Sequence, residues 1–169
     1  VRDDDTSDLT VIEETIARMG PHLDPHTIVI VSAQLPVGTA RVFRASLKKV
    51  DDSLDLVYSP ENLRLGEALA CYSRPGHIVL GADNDQAAAA VERLFAPMEA
   101  VCLKMSLPSA EMTKHAVNSF LAASITLANQ WADLCEAVGA DFADVAAAMK
   151  HDPRIGSRAY LSSGIGFSG

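Results

Sequence analysis

The 169-residue chain has few cysteines: Cys71, Cys102 and Cys135, set far apart. That spacing forms no metal-ligand motif, and an odd number cannot pair completely, so reduced thiols in a cytoplasmic protein are expected. His22, His26, His77, His115 and His151 also lack ligand spacing, so no metal is expected. Basic residues are outnumbered and unclustered: 14 Lys and Arg against 22 Asp and Glu give a formal charge of −8. Without a basic footprint, a nucleic-acid partner is excluded. No apolar run is long enough to cross a bilayer and no signal peptide opens the chain, so no membrane partner is expected. Internal repeats and low-complexity segments are absent too.

What is present is globular in composition: 49% of residues are hydrophobic and 21% charged, which excludes a disordered tail. The length suffices for one core, or for one domain plus part of another. Val1 and the polar "VRDDDTSD" suit a chain that begins inside a longer protein. The end, "LSSGIGFSG", holds three glycines in its last six residues, a turn built to lead into something further.

Periodicity orders the segments between. "SDLTVIEETIARMG" predicts an amphipathic helix capped by Ser7, with Asp8 in its first turn and Gly20 at its end. "TIVIVS" (27–32) is a β-branched run, predicted as a strand buried on both faces. "QLPVGT" is then a loop at its carboxyl end, followed by a helix through "ARVFRASLKKV". Strand "LDLVYS" (54–59), loop and helix "PENLRLGEALA", strand "HIVLG" (77–81), helix "NDQAAAAVERLF" and edge strand "AVCLKMSL" (100–107) continue the alternation. Strands alternating with helices predict an α/β sheet, mostly parallel, with ligand sites outside the strands' carboxyl ends. "QLPVGT" and "SPENLRLG" both fall there.

From Pro108 the character changes. "SAEMTKHAVNSFLAASITLANQWADLCEAV" has no breaker before Gly139, predicting a helix of roughly 45 Å that bridges two domains or two subunits. Asp141 then caps a helix over "FADVAAAMKH". The chain is thus divided into 1–107, an α/β domain, and 108–169, a helical region.

Two constellations could carry chemistry. Spacings of three and four stack Glu111, Lys114 and Asn118 on one helix face. Such a face is either solvated, with a Glu–Lys pair, or a water-poor oxyanion site where an ammonium and an amide meet one oxygen. Glu61, just past a strand end, is either a surface carboxylate or a general base. Trp131, at helical spacing from Leu127 and Leu134, reads as core, and Arg154 in "DPRIG" reads as a loop arginine.

Taken together, "IVIVSAQLPVGT", "YSPENLRLGEAL", "RPGHIVLG", "SAEMTKHAVNSFLAASITLANQWADLCEAVGAD" and "DPRIGSRAYLSSGIGFSG" resemble the UDP-glucose/GDP-mannose dehydrogenase family, in order and over nearly the whole chain. The resemblance implies the later half of a Rossmann-like NAD domain, then a long central helix and a helical dimerisation region. It implies an NAD-dependent oxidoreductase that oxidises the 6-hydroxyl of a nucleotide sugar twice, through an aldehyde, to a uronate. Lys114 matches the oxyanion-stabilising lysine, Asn118 the asparagine on the reacting oxygen, and Glu61 the glutamate that activates water against a thioester. Asn62, Leu63 and Arg64 match the loop along the sugar and diphosphate, and Gln34 and Pro36 the loop beside the cofactor. Arg154 matches an arginine that reaches a neighbouring subunit's substrate, while Gly164, Gly166 and Phe167 match the segment that wraps the nucleotide sugar.

In the family a nucleophilic cysteine follows that segment and a G-x-G-x-x-G turn precedes the part matched by Val1. The chain alone is therefore expected to be inactive. Gln34 stands where many members have threonine, Leu65 where some have a second glutamate, and Ser168 where a glycine is usual. A β-hydroxyacid dehydrogenase, which lacks "SPENLRLG", and a non-catalytic dimerisation module are the rival readings. A UDP-sugar is favoured, with a homodimer formed through the long helix.

Overall fold

A computed structural model describes residues 7–63 and 66–164. Within it the chain divides into two compact units, Val1–Lys114 and His115–Gly169.

The first unit alternates as the sequence predicts. Helix α1 (Thr10–Met19) packs beside α2 (Thr39–Val50), and strands β1 (Ile28–Val31), β2 (Asp55–Tyr58), β3 (Ile78–Gly81) and β4 (Cys102–Met105) form one sheet in the order β1-β2-β3-β4. Short α3 (Ala68–Ser73) follows β2, and α4 (Asp85–Phe95) follows β3. The pairs β1–β2 and β3–β4 are parallel, joined by a single antiparallel bridge between Tyr58 and Gly81.

Period-two alternation splits the central strands between two cores. Leu56, Tyr58 and Val79 face one side, with Ile16 of α1 and Phe43 and Leu47 of α2. Val57, Ile78 and Leu80 face the other, against Ala87 and Val91 of α4. β2 is buried along its whole length. β1 departs from expectation: Ile28, Val29 and Ile30 are only half-buried, because among the described residues β1 pairs on one side alone. β4 is the edge strand predicted, with Leu103 and Lys104 exposed.

The α1 cap also differs. Ser7 does not cap it; the Asp8 carboxylate instead accepts from the Thr10 N–H at 3.1 Å and its hydroxyl at 2.7 Å. Asn84 caps α4, accepting from the Gln86 N–H at 2.9 Å.

Asp55, at the start of β2, is buried and tied on several sides. Arg44 Nε donates to it at 2.6 Å, Asn84 Nδ2 at 2.6 Å and the Leu56 N–H at 2.9 Å. Burial opposes the charge, but these hydrogen bonds outweigh it and hold the carboxyl at about 2. Helices α2 and α4 are thus locked to one strand through a single carboxylate.

The long helix α5 (Leu107–Val138) has 32 residues, and the division between the units falls within it, after Lys114. Its first turn lies against the end of β3: a Cβ on Gly81 would stand 2.5 Å from the Ala110 Cβ and 3.3 Å from the Leu107 Cα. Only glycine allows that approach. The helix ends as predicted at Gly139, where the Ala140 N–H donates to the Cys135 carbonyl at 2.8 Å and the Gly139 N–H to that of Glu136 at 3.2 Å. This pair of bonds is the Schellman pattern. Asp141 caps α6 (Phe142–His151) through the Ala143 N–H at 2.7 Å.

Candidate active site

In the first unit, three segments meet outside the carboxyl ends of the strands. They are the loop after β1 (residues 32–38), the loop after β2 (residues 59–63) and the opening turns of α5. Parallel pairing of β1 with β2 brings the two loops to the same sheet edge.

Lys114 reaches the second loop. Its Nζ donates to the Glu61 carbonyl at 2.7 Å and to the Asn62 Oδ1 at 3.3 Å. A primary ammonium has three donors, and two are used among the described residues. Glu61, Asn62 and Leu63 are exposed beside it. The structure therefore joins the "SPENL" loop and the lysine of "EMTKHAVN", which are 53 residues apart.

Glu111 departs from the expected face. Its carboxylate is fully buried and accepts from the Gly38 N–H at 2.6 Å and the Ala40 N–H at 2.7 Å. It does not pair with Lys114. The reason lies in α2, whose N-terminus has no side-chain cap of its own, so two orphan donors and the positive end of the helix dipole take a carboxylate from α5. One turn of α5 thus fastens the β1 loop through Glu111 and the β2 loop through Lys114. The same charge, secondary to burial, pushes the Tyr58 phenol up.

This arrangement also sets what part of a dinucleotide the unit can hold. The amides at the start of α2 are occupied by Glu111, so that helix terminus is closed to a pyrophosphate. Gln34, exposed, and Pro36, half-buried, lie in the loop that follows β1. Among the described residues no group of His, Cys, Asp and Glu could hold a metal ion, and no helix is long and apolar enough to cross a membrane.

Asn118 lies one turn beyond Lys114 on α5 and is half-buried, in the second unit. That unit also contains a groove of about 690 Å³ lined by Phe120, Leu127, Trp131, Met149, Tyr160 and Leu161. Trp131 is thus a half-buried wall of the groove rather than core. Arg154 is largely exposed and forks onto Asp152, with Nη2–Oδ2 at 2.7 Å and Nε–Oδ1 at 3.0 Å. The hydrogen bond from Arg154 lowers the Asp152 carboxyl and raises the guanidinium in return. Gly164 pairs with Asn129 of α5. Arg64, Leu65, Gly166, Phe167 and Ser168 lie outside the described residues.

Two residues of this architecture escape a reading by spacing. Glu111 looks like a surface partner for Lys114 until α2 is found uncapped; the missing Asp, Asn or Ser before Thr39 was the available signal. Asn129 sits among good helix formers, where an asparagine is out of place unless its amide is used.

The chain resembles known proteins along nearly its whole length. Residues 1–99 match the UDP-glucose/GDP-mannose dehydrogenase family, NAD binding domain, and residues 108–169 match the central domain of the same family. The chain is 38% identical over 166 residues to the UDP-glucose 6-dehydrogenase TuaD of Bacillus subtilis, covering 96% of this chain and 36% of that protein. It is 39% identical over 170 residues to the UDP-glucose 6-dehydrogenase AglM of Haloferax volcanii, covering 95% and 39%. A UDP-glucose dehydrogenase structure from Pyrobaculum islandicum superposes with a TM-score of 0.90 at 30% identity, over 99% of this chain and 40% of that one. A 3-hydroxyisobutyrate dehydrogenase from Mycobacterium tuberculosis, at 15% identity and a TM-score of 0.71, shares the fold alone. The chain therefore spans about two fifths of the length of these dehydrogenase relatives.

Proposed function

Since the chain belongs to the UDP-glucose/GDP-mannose dehydrogenase family, we propose that it is part of an NAD-dependent nucleotide-sugar 6-dehydrogenase. Residues 1–107 form the later part of the cofactor domain and residues 108–169 the central helical region. The observation that carries this reading is the Lys114 ammonium seated on the Glu61 carbonyl at 2.7 Å, at the edge where the two strand loops converge.

In a protein of the relatives' length, the sugar's 6-hydroxyl enters beside Lys114. As the hydroxyl passes its proton to water, the Lys114 ammonium stabilises the developing alkoxide, and the family resemblance assigns Asn118 to the reacting oxygen. NAD supplies the two-electron acceptor for each of the two oxidations. The aldehyde is trapped by a cysteine thiol as a thiohemiacetal, whose oxidation gives a thioester. Water, drawn by Glu61 through one proton, adds to the thioester carbonyl, the thiolate leaves, and a uronate is released. Lys114 stabilises the tetrahedral oxyanion of that step as well.

By the family resemblance we assign Asn62, Leu63 and Arg64 to the sugar diphosphate, Gln34 and Pro36 to the cofactor, and Gly164, Gly166 and Phe167 to the nucleotide sugar. A UDP-sugar is the substrate class, since the relatives from Bacillus subtilis and Haloferax volcanii are named UDP-glucose 6-dehydrogenases. The exposed Phe120, Leu127 and Leu134 of α5 support a homodimer in which Arg154 leaves Asp152 for the partner's substrate. Three free thiols and a cofactor of the cytosolic pool support a cytoplasmic location.

The test is Lys114→Ala in a protein of the relatives' length, assayed for NADH with a panel of nucleotide sugars. Loss of one oxyanion donor should lower kcat about a hundredfold or more, with a much smaller change in KM. A variant with near-normal kcat overturns the assignment.

A further inference from the structure

One side chain of α5 is used in a way that neither the cofactor domain nor the chemistry of Lys114 requires. Asn129 stands mid-helix, beside the fully buried Ala128. Its Nδ2 donates to the Gly164 carbonyl at 3.0 Å, and the Gly164 N–H donates to its Oδ1 at 2.7 Å. One amide therefore satisfies both backbone groups of a residue 35 positions away, as a neighbouring strand would. A carboxamide presents one donor and one acceptor side by side; a carboxylate, a hydroxyl or an alkyl group cannot. Gly164 is held at φ +151°, where an L side chain is strained although the space around it is open.

We propose that Asn129 is a positioning residue: it clamps the backbone at Gly164, where the glycine-rich stretch begins, and so sets the affinity for the nucleotide sugar. This role rests on the reading of the chain as part of a nucleotide-sugar dehydrogenase. The clamp touches neither Lys114 nor Glu61. Its loss therefore weakens binding of the nucleotide sugar and spares the chemical step.

Substitution separates this from a packing role. Asn129→Ala removes both hydrogen bonds. Asn129→Asp keeps the volume and the acceptor for the Gly164 N–H but turns a carboxylate oxygen towards the Gly164 carbonyl. That repulsion disappears when the aspartate is protonated and its O–H can donate. The Asp variant is thus a pH-gated version of the clamp, working near pH ~4 and released near pH ~7, on either side of the ordinary range for a carboxyl group facing a carbonyl.

The first measurement is hydrogen exchange at Gly164 in this 169-residue chain. Protection, corrected for the intrinsic rate, should be clear in the parent chain, absent in Asn129→Ala at both pH values, and restored only at the lower pH in Asn129→Asp. The second uses a protein of the relatives' length. Asn129→Ala should raise KM for UDP-glucose about tenfold, the scale of one or two net hydrogen bonds, with kcat within about twofold. Unchanged protection at Gly164 in Asn129→Ala overturns the clamp. A fall in kcat at constant KM overturns the positioning role but leaves the clamp standing. If the unsubstituted longer protein oxidises no nucleotide sugar, the functional reading falls together with the role in affinity, and the exchange result still decides the clamp.

Discussion

Removing the Glu111 carboxylate should unfold the first unit's loop edge before it alters any surface property. Glu111→Ala leaves two amide donors, those of Gly38 and Ala40, without the oxygens that sit 2.6 and 2.7 Å away. Ala40 is fully buried, so water cannot replace the lost acceptor there. Each stranded donor costs about 1–3 kcal/mol, and bonds to a charged acceptor lie at the upper end of that range. The dipole of α2 also loses its counter-charge, a further ~0.3–1 kcal/mol. Against this stands the relief of no longer burying a carboxylate, which moderates the sum. The net is about 3–5 kcal/mol, a large share of the ~5–15 kcal/mol that keeps a domain folded. Glu111→Gln keeps one acceptor but presents an NH2 to the other amide, so it should lose about half as much. Urea unfolding followed by circular dichroism reads both values, and the melting temperature should fall by roughly 6–20 °C for the alanine variant. An alanine variant within about 1 kcal/mol of the parent, or a glutamine variant worse than alanine, refutes the cap.

Three further outcomes follow from the same structure. The Asp55 carboxyl is held at about 2, below its ordinary 3.8, so its contribution is fully present above the unfolded value and lost as pH falls from about 4 to 2. Asp55→Asn should therefore remove about 2 kcal/mol at neutral pH and flatten the acid limb of a stability–pH curve; an unchanged acid limb contradicts the Arg44–Asp55–Asn84 network. Gly81→Ala drives a methyl to 2.5 Å from the Ala110 Cβ and should destabilise by about 1–3 kcal/mol, whereas a neutral variant would show that α5 yields easily. Sedimentation should find a dimer, and Phe120→Asp with Leu134→Asp should dissociate it; a monomeric parent chain at micromolar concentration refutes the interface.

The relatives are more than twice as long as this chain, so stability and exchange are measured on the chain itself and turnover on the longer protein. Stability results bear on Glu111, Asp55 and Gly81 whatever the substrate proves to be. Turnover results bear on Lys114, on Glu61 and on the part Asn129 plays in affinity.

Local pattern determined much of this protein. Runs such as "IVIV" and "LVY" could only bury themselves as strands, Gly139 and Asp141 marked a helix end and the next helix start, and "DQAAAAVERLF" could form little but helix. Those features depend on residues within a turn or two of each other, and so a linear reading reaches them. Spacing alone left Glu61 and Lys114 open between surface and catalytic roles; the order of motifs such as "SPENL" and "EMTKHAVN" singled them out only through the family resemblance. Tertiary structure decided the rest. Whether Glu111 faced solvent or the interior depended on an uncapped helix about 70 residues upstream. Burial of β1 depended on which strands flank it, and Asn129 found its partner only because the chain returns to α5 at Gly164. Helical periodicity says which residues share a face, but the unsatisfied donors on another element determine what that face meets, and those become visible only when the chain has folded.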